Sequence, residues 1–176
     1  MEANRYSWRT NGHACDAPTE LGYYEHCDSS AKCGVDQVHY EGFGPGASVI
    51  DTNSPFHTKI DFKAEESSDG QPLFAGYVVT LTQDDRTFKM DSATSSICKD
   101  ESYLNAMTDD IDGNMVITMS IWGANPIDWL QHGACTGECT ADSVHRVTNI
   151  KVTSAEHSKK LHQEQVEDID LALVYQ

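Results

Sequence analysis

Basic residues are scarce in this chain. Its 176 residues hold 12 Lys and Arg against 28 Asp and Glu, a formal net charge of −16 and a sequence pI near 4.6. Such a surface repels phosphate backbones and anionic lipid headgroups, so nucleic acid and membrane surfaces are not expected partners. Long apolar runs are missing too. The most apolar stretch, residues 115–122, has the length of a strand, which excludes it as a spanning helix. There is no G-x-S-x-G elbow, no phosphate loop and no dinucleotide fingerprint. No cofactor is expected. The opening residues Met1-Glu2-Ala3-Asn4-Arg5-Tyr6 lack the charged start and apolar core of a secretory leader. Proteins, small molecules and neutral polymers such as glycans remain as partners.

What is present argues for a packed domain. Hydrophobic residues make up 39% of the chain and charged residues 23%, enough for a core and against wholesale disorder. The six cysteines (Cys15, Cys27, Cys33, Cys98, Cys135, Cys139) stand in loop-like sequence, and an even number so placed suggests disulfides and an oxidising compartment. That reading conflicts with the missing leader. Reduced thiols, metal binding or an absent upstream segment would each resolve the conflict, and the last is the preferred resolution.

The first third is polar and rich in Gly, Cys and His, and it reads as crosslinked loops with a turn cluster at Gly42-Phe43-Gly44-Pro45-Gly46. Beyond Pro55 the pattern changes. Residues 57–63 alternate polar and apolar as a half-buried strand does. Residues 74–82 are β-branched and aromatic, and 86–90 return as a hairpin partner across Asp84-Asp85. A short helix is expected around 101–107. Residues 115–122 give the strongest strand signal, and 146–152 read as a last strand. The tail, 154–176, is charged and weakly amphipathic, a loose helix or disorder. Short strands separated by turns predict an all-β fold, an antiparallel β-sandwich.

Three groups of residues carry candidate chemistry. His132, Cys135, Cys139 and His145 offer two thiolates and two imidazoles, a ligand set zinc accepts. Their spacing matches no common finger closely, and a Cys135–Cys139 disulfide, or a crosslink from one of them to an absent segment, is the preferred alternative; no metal is expected. Glu2 precedes Asn4, the aromatics Tyr6 and Trp8, and then His13; taken alone, a terminal Glu is solvated surface. Trp122 and Trp129 stand at the end of the expected strand and in the loop after it. They are either core or sugar-stacking platforms, with Asn125 and Asp128 beside them as hydrogen-bonding partners for hydroxyls.

Three stretches in order resemble glycoside hydrolase family 7, the fungal-type cellulases. Glu2-Ala3-Asn4, with His13 and Cys15 downstream, is similar to the end of the family's E-x-D-x-x-E-A-N segment and its later H-x-C. Phe43-Gly44-Pro45-Gly46, Val49-Ile50-Asp51-Thr52 and residues 56–62 resemble its "YGPG … VDT … FTVVTQF" passage. Residues 115–122 resemble its "MVLVMSLW" strand. The likeness covers about 1–153, and the tail has no counterpart in it.

The resemblance implies a jelly-roll (concanavalin-like) sandwich, here the incomplete C-terminal portion of a catalytic domain over 1–153. It implies a retaining β-1,4-glucanase, secreted as part of its parent and acting as a monomer on cellulose or another β-glucan. Glu2 aligns with the acid/base and His13 with a histidine bordering the cleft; under this reading Trp122 and Trp129 are sugar platforms, and Asn4 and Asn125 are further candidate substrate contacts. The nucleophile position falls ahead of Met1, so this chain alone is expected to be inactive and poorly stable. The pattern also implies crosslinks Cys15–Cys27 and Cys33–Cys98. The chain is short between Cys27 and Cys33 and between Trp122 and Cys135, which implies an open, endoglucanase-like cleft rather than the roofed tunnel of a cellobiohydrolase. Gly133-Ala134 replaces the arginine that commonly precedes the family's last cysteine. The competing expectations are a cellobiohydrolase, a non-catalytic glycan-binding sandwich and a zinc-stabilised protein.

Overall fold

A computed structural model describes residues 1–15, 20, 33–36, 42–94, 101–108, 111, 117–119, 145–152 and 171–175. The fold is all-β. Strands β1 (Glu2–Ala3), β2 (Trp8–Gly12) and β3 (Cys33–Asp36) form a small antiparallel sheet in that order. A larger antiparallel sheet holds β6 (Phe56–Glu66), β7 (Pro72–Gln83), β8 (Arg86–Asp91), β9 (His145–Thr148) and β10 (Leu171–Tyr175), in the order β8-β7-β6-β10-β9. Between the two sheets in sequence, β4 (Phe43–Gly44) and β5 (Ile50–Asp51) make a short parallel pair. The helix α1 (Glu101–Asn105) is little more than one turn long, a 3-10 turn spans Ser92–Thr94, and no described helix could cross a membrane.

Alternation builds the core. Along β2, Trp8, Thr10 and Gly12 are buried while Arg9 and Asn11 are half-buried. Along β7, Tyr77, Val79, Leu81 and Gln83 are buried on the facing side. The two inner faces meet: Trp8 packs edge-on against Phe56 with ring centres 6.2 Å apart, and Phe56 meets Phe43 the same way at 5.9 Å. Ile50, Phe74, Met90, Tyr103 and Leu104 complete the cluster. Two layers sharing one apolar interior constitute a sandwich.

The long hairpin contains a register shift between Lys63 and Ala64, where β7 has an extra residue, Ala75. The shift reverses the inward parity, so Phe74 on one side of it and Tyr77 on the other both reach the core. Gly76 sits at the irregularity with φ 123°. The Ser92 hydroxyl fills the space a side chain there would need, and it accepts the Tyr77 N–H at 2.9 Å.

Tyr77 ties the two sheets together, and Tyr103 ties α1 to the end of the small sheet. The Tyr77 hydroxyl donates to the Thr10 carbonyl at 2.9 Å, and Tyr103 accepts the Ala14 N–H at 2.9 Å. Burial pushes the Tyr77 phenol well above its ordinary value. An unfolded tyrosine ionises near pH 10, whereas folded Tyr77 keeps its proton beyond that, so the native state binds the extra proton. Stability is therefore full below about pH 10 and falls as pH rises above it. Chemical denaturation between pH 8 and 11 is expected to show this fall. Tyr77→Phe is expected to flatten it, at a cost of about 1 kcal/mol at neutral pH from the lost hydrogen bond.

Several expectations change against this structure. The first third is not all loop: it contains β1, β2 and β3, because Trp8 and Thr10 alternate with Arg9 and Asn11 beneath the Gly and Cys composition. The tail is neither helix nor disorder at 171–175, where an apolar run of strand length adds β10 to the large sheet. The last strand before it is shorter than expected. Asn149 takes φ 57°, which ends β9 at Thr148, and Ile150 and Val152 are exposed. Of the stretch 115–122, only 117–119 is described; those residues are not in a strand, and Ile117 and Met119 are exposed. Strand propensity is realised only where a neighbouring ladder and a covered face are available.

Candidate functional site

The hairpin of β1 and β2 brings the candidate acid together with residues the sequence does not nominate. Its turn is closed by Asn4, whose side-chain oxygen accepts N–H groups from Tyr6 (2.8 Å) and Ser7 (2.9 Å) and the Ser7 hydroxyl at 3.0 Å. The Asn4 N–H in turn donates to the Ser7 carbonyl at 3.0 Å. This is an Asx turn, for which Asn is well suited. The oxygen offered by the sequence for substrate contact is thus engaged in the hairpin.

Closing the turn fixes the register: Ala3 opposite Trp8, Glu2 opposite Arg9. Ala3 and Trp8 lie on the core side, so Glu2 and Arg9 share the outer face, both half-buried. The next strand continues the row, since Asp36 is the register partner of Arg9. Asn11 follows on the outer face of β2, and His13, just past its end, is exposed. The site is therefore the outer face of this hairpin, Glu2 beside Arg9, with Asn11 and His13 along one strand and Asp36 at the register position across from Arg9. Arg9 escapes a reading by motif, because only the strand register places it beside Glu2. Two-residue periodicity over 8–12 is the signal that finds Arg9 and Asn11.

A polar brace holds the hairpin turn in place. Thr52 is fully buried and donates its hydroxyl to the Arg5 carbonyl at 2.8 Å. The Arg5 guanidinium donates to the Asn53 side chain. Behind them Gln83, buried at the end of β7, accepts the Asp51 N–H at 2.8 Å and donates to the carbonyls of Asp51, Ser54 and Pro55 at 2.9, 3.3 and 3.1 Å. Asp51 accepts the Gly46 N–H at 2.6 Å and the Asn53 N–H at 3.0 Å, and these two backbone donors hold its carboxyl below the usual carboxylate range. One connected network thus runs from the large sheet through the loop at 42–54 to the strand that carries Glu2.

Of the other candidate residues, Cys15 and Cys33 are disulfide-bonded. Their expected partners, Cys27 and Cys98, lie outside the described residues, as do Trp122, Asn125, Trp129, His132, Cys135 and Cys139. His145 opens β9. Among the described residues no group of three or more His, Cys, Asp or Glu could hold a metal ion. No family model, curated protein or solved structure matches the chain.

Proposed function

We propose that this protein is a glycoside hydrolase of the family 7 type, acting on β-1,4-glucans, with Glu2 as its acid/base. The observation that carries the reading is the position of Glu2. It stands on the outer face of a sheet whose inner face is Trp8, on a hairpin braced to the rest of the fold, with His13 at the end of the neighbouring strand. In a retaining mechanism a carboxylate attacks the anomeric carbon while Glu2 protonates the leaving oxygen. Glu2 then takes a proton from the water that releases the sugar. His13, just past the end of the neighbouring strand, borders the cleft. Asn125 supplies hydrogen bonds to sugar hydroxyls, and Trp122 and Trp129 supply stacking faces. The crosslinks Cys15–Cys27 and Cys33–Cys98 belong to the same reading, as do secretion of the parent protein and a monomeric state.

No nucleophile is assigned among the described residues, so the assay includes formate, a small carboxylate able to take that part. The protein is incubated with soluble β-glucan, with and without formate, and reducing ends are measured beside a pull-down on cellulose. Cellulose binding and formate-dependent release are expected. Glu2→Gln is expected to keep the binding and lower release at least about 100-fold, the scale of a missing general acid. Release that Glu2→Gln leaves unchanged, or no binding to cellulose, overturns the assignment. Binding without release under any condition favours the alternative, a glycan-binding sandwich that carries no chemistry.

A further inference from the structure

The order β8-β7-β6-β10-β9 is unusual in one respect: a strand from 171–175 lies inside the large sheet, between β6 and β9. It runs antiparallel to both. Leu171, Ala172 and Leu173 stand opposite Thr58, His57 and Phe56, and Ala172 to Tyr175 stand opposite Thr148 to His145. Phe56 and Thr58 are fully buried whereas His57 is exposed. The register positions across from the two buried residues are filled by leucines, and the position across from the exposed one by alanine. The sequence of the segment thus matches the alternation of the edge it joins.

Its hold on β6 is limited. The β10 ladder covers β6 only from Phe56 to Thr58, while β7 follows β6 from His57 to Glu66. Residues 153–170, which lead into β10, include Glu156, Lys159, Lys160, Glu164, Glu167, Asp168 and Asp170, a strongly polar stretch. Without β10, β6 would present an unpaired edge directly beside the Phe56–Trp8–Phe43 cluster, the kind of edge that recruits another strand.

We propose that the gap between β6 and β9 is a strand-acceptor slot, occupied by residues 171–175 and specific for an extended segment with leucine-sized residues at alternate positions. Main-chain hydrogen bonds to β6 and β9 supply the attraction, and the alternation of buried and exposed positions supplies the selectivity. The segment competes with any outside strand at an effective concentration on the order of millimolar, so the slot is closed to dilute peptides while β10 is seated.

The test uses the full chain and a fluorescent peptide with the sequence of residues 167–176, read by anisotropy. Leu173→Pro removes an N–H inside a strand paired on both sides and unseats β10. Leu173→Asn, which keeps the N–H but puts a polar group opposite Phe56, serves as a second variant if the proline form does not fold. At least one variant is expected to bind the peptide about tenfold or more tighter than the unaltered chain. A peptide carrying proline at the position of Leu173 is expected not to bind. Failure of both variants to take up the peptide, equal uptake by altered and unaltered chains, or equal uptake of the proline-bearing peptide each overturns the proposal.

Discussion

Trp8→Ala is expected to destabilise the fold by about 3–5 kcal/mol, the scale of removing a large aromatic from a packed interior. The indole is fully buried at the junction of the two sheets. Its edge-on contact with Phe56, and that of Phe56 with Phe43, link β2, β6 and β4 through one chain of rings. Its Nε1–H donates to the Thr10 hydroxyl at 2.9 Å, so truncation also strips a buried hydroxyl of a partner. Few domains have much more than about 5–15 kcal/mol in reserve. Urea unfolding followed by far-ultraviolet circular dichroism is expected to show the midpoint falling sharply. Trp8→Phe is expected to recover part of the loss, since it restores ring packing but not the indole hydrogen bond. A midpoint unchanged in Trp8→Ala would mean that the small sheet does not rest on the large one.

Gly76→Ala carries the second large effect. A Cβ at position 76 meets the Ser92 Oγ at 2.4 Å, and the backbone there has φ 123°, a region that residues with side chains rarely adopt. Backbone strain and overpacking of this kind each cost roughly 1–3 kcal/mol. Pushing Ser92 aside also breaks its bond to the Tyr77 N–H. The expected loss is roughly 3–5 kcal/mol in all. Adding Ser92→Ala to Gly76→Ala tests the cause. Removing the oxygen relieves the clash and leaves the φ strain and the missing acceptor, so the double variant is expected to recover part of the loss and not all of it. Destabilisations that simply add would show that the two residues do not meet.

The hairpin of β6, β7 and β8 is legible in the sequence because it meets the rule that strand alternation obeys. Residues 57–63, 74–82 and 86–90 each lie within the observed strands, and Asp84, at φ 54°, makes the tight turn expected between the last two. The register shift at Lys63/Ala64 is not legible, because it depends on how Gly76 accommodates Ser92 from a later strand end. The small sheet is hidden for a different reason. Its alternating residues are Thr, Arg and Asn around one tryptophan, among Gly and Cys that suggest loops. β10 is missed in a tail read as charged and loosely helical or disordered, because its five residues follow a long polar stretch and nothing in 171–175 specifies which edge it joins. The same limit governs the site. Glu2 and His13 follow from a motif, whereas Arg9 and the Asp36 position follow only from pairing across strands. A sequence shows which residues alternate; it does not show which of them will face one another.

The inserted strand also sets the order in which the protein can be made. Leu171 pairs with Thr58, a partner synthesised more than a hundred residues earlier. Contacts so distant close late, after local hairpins have formed. On the ribosome, β6, β7 and β8 can assemble as soon as they leave the exit tunnel, but the ladder along Phe56–Thr58 must wait until residues 171–175 have emerged. During that interval the nascent chain leaves the edge of β6 beside its Trp8–Phe56–Phe43 cluster unpaired, and it is then that a chaperone has the greatest reason to bind it.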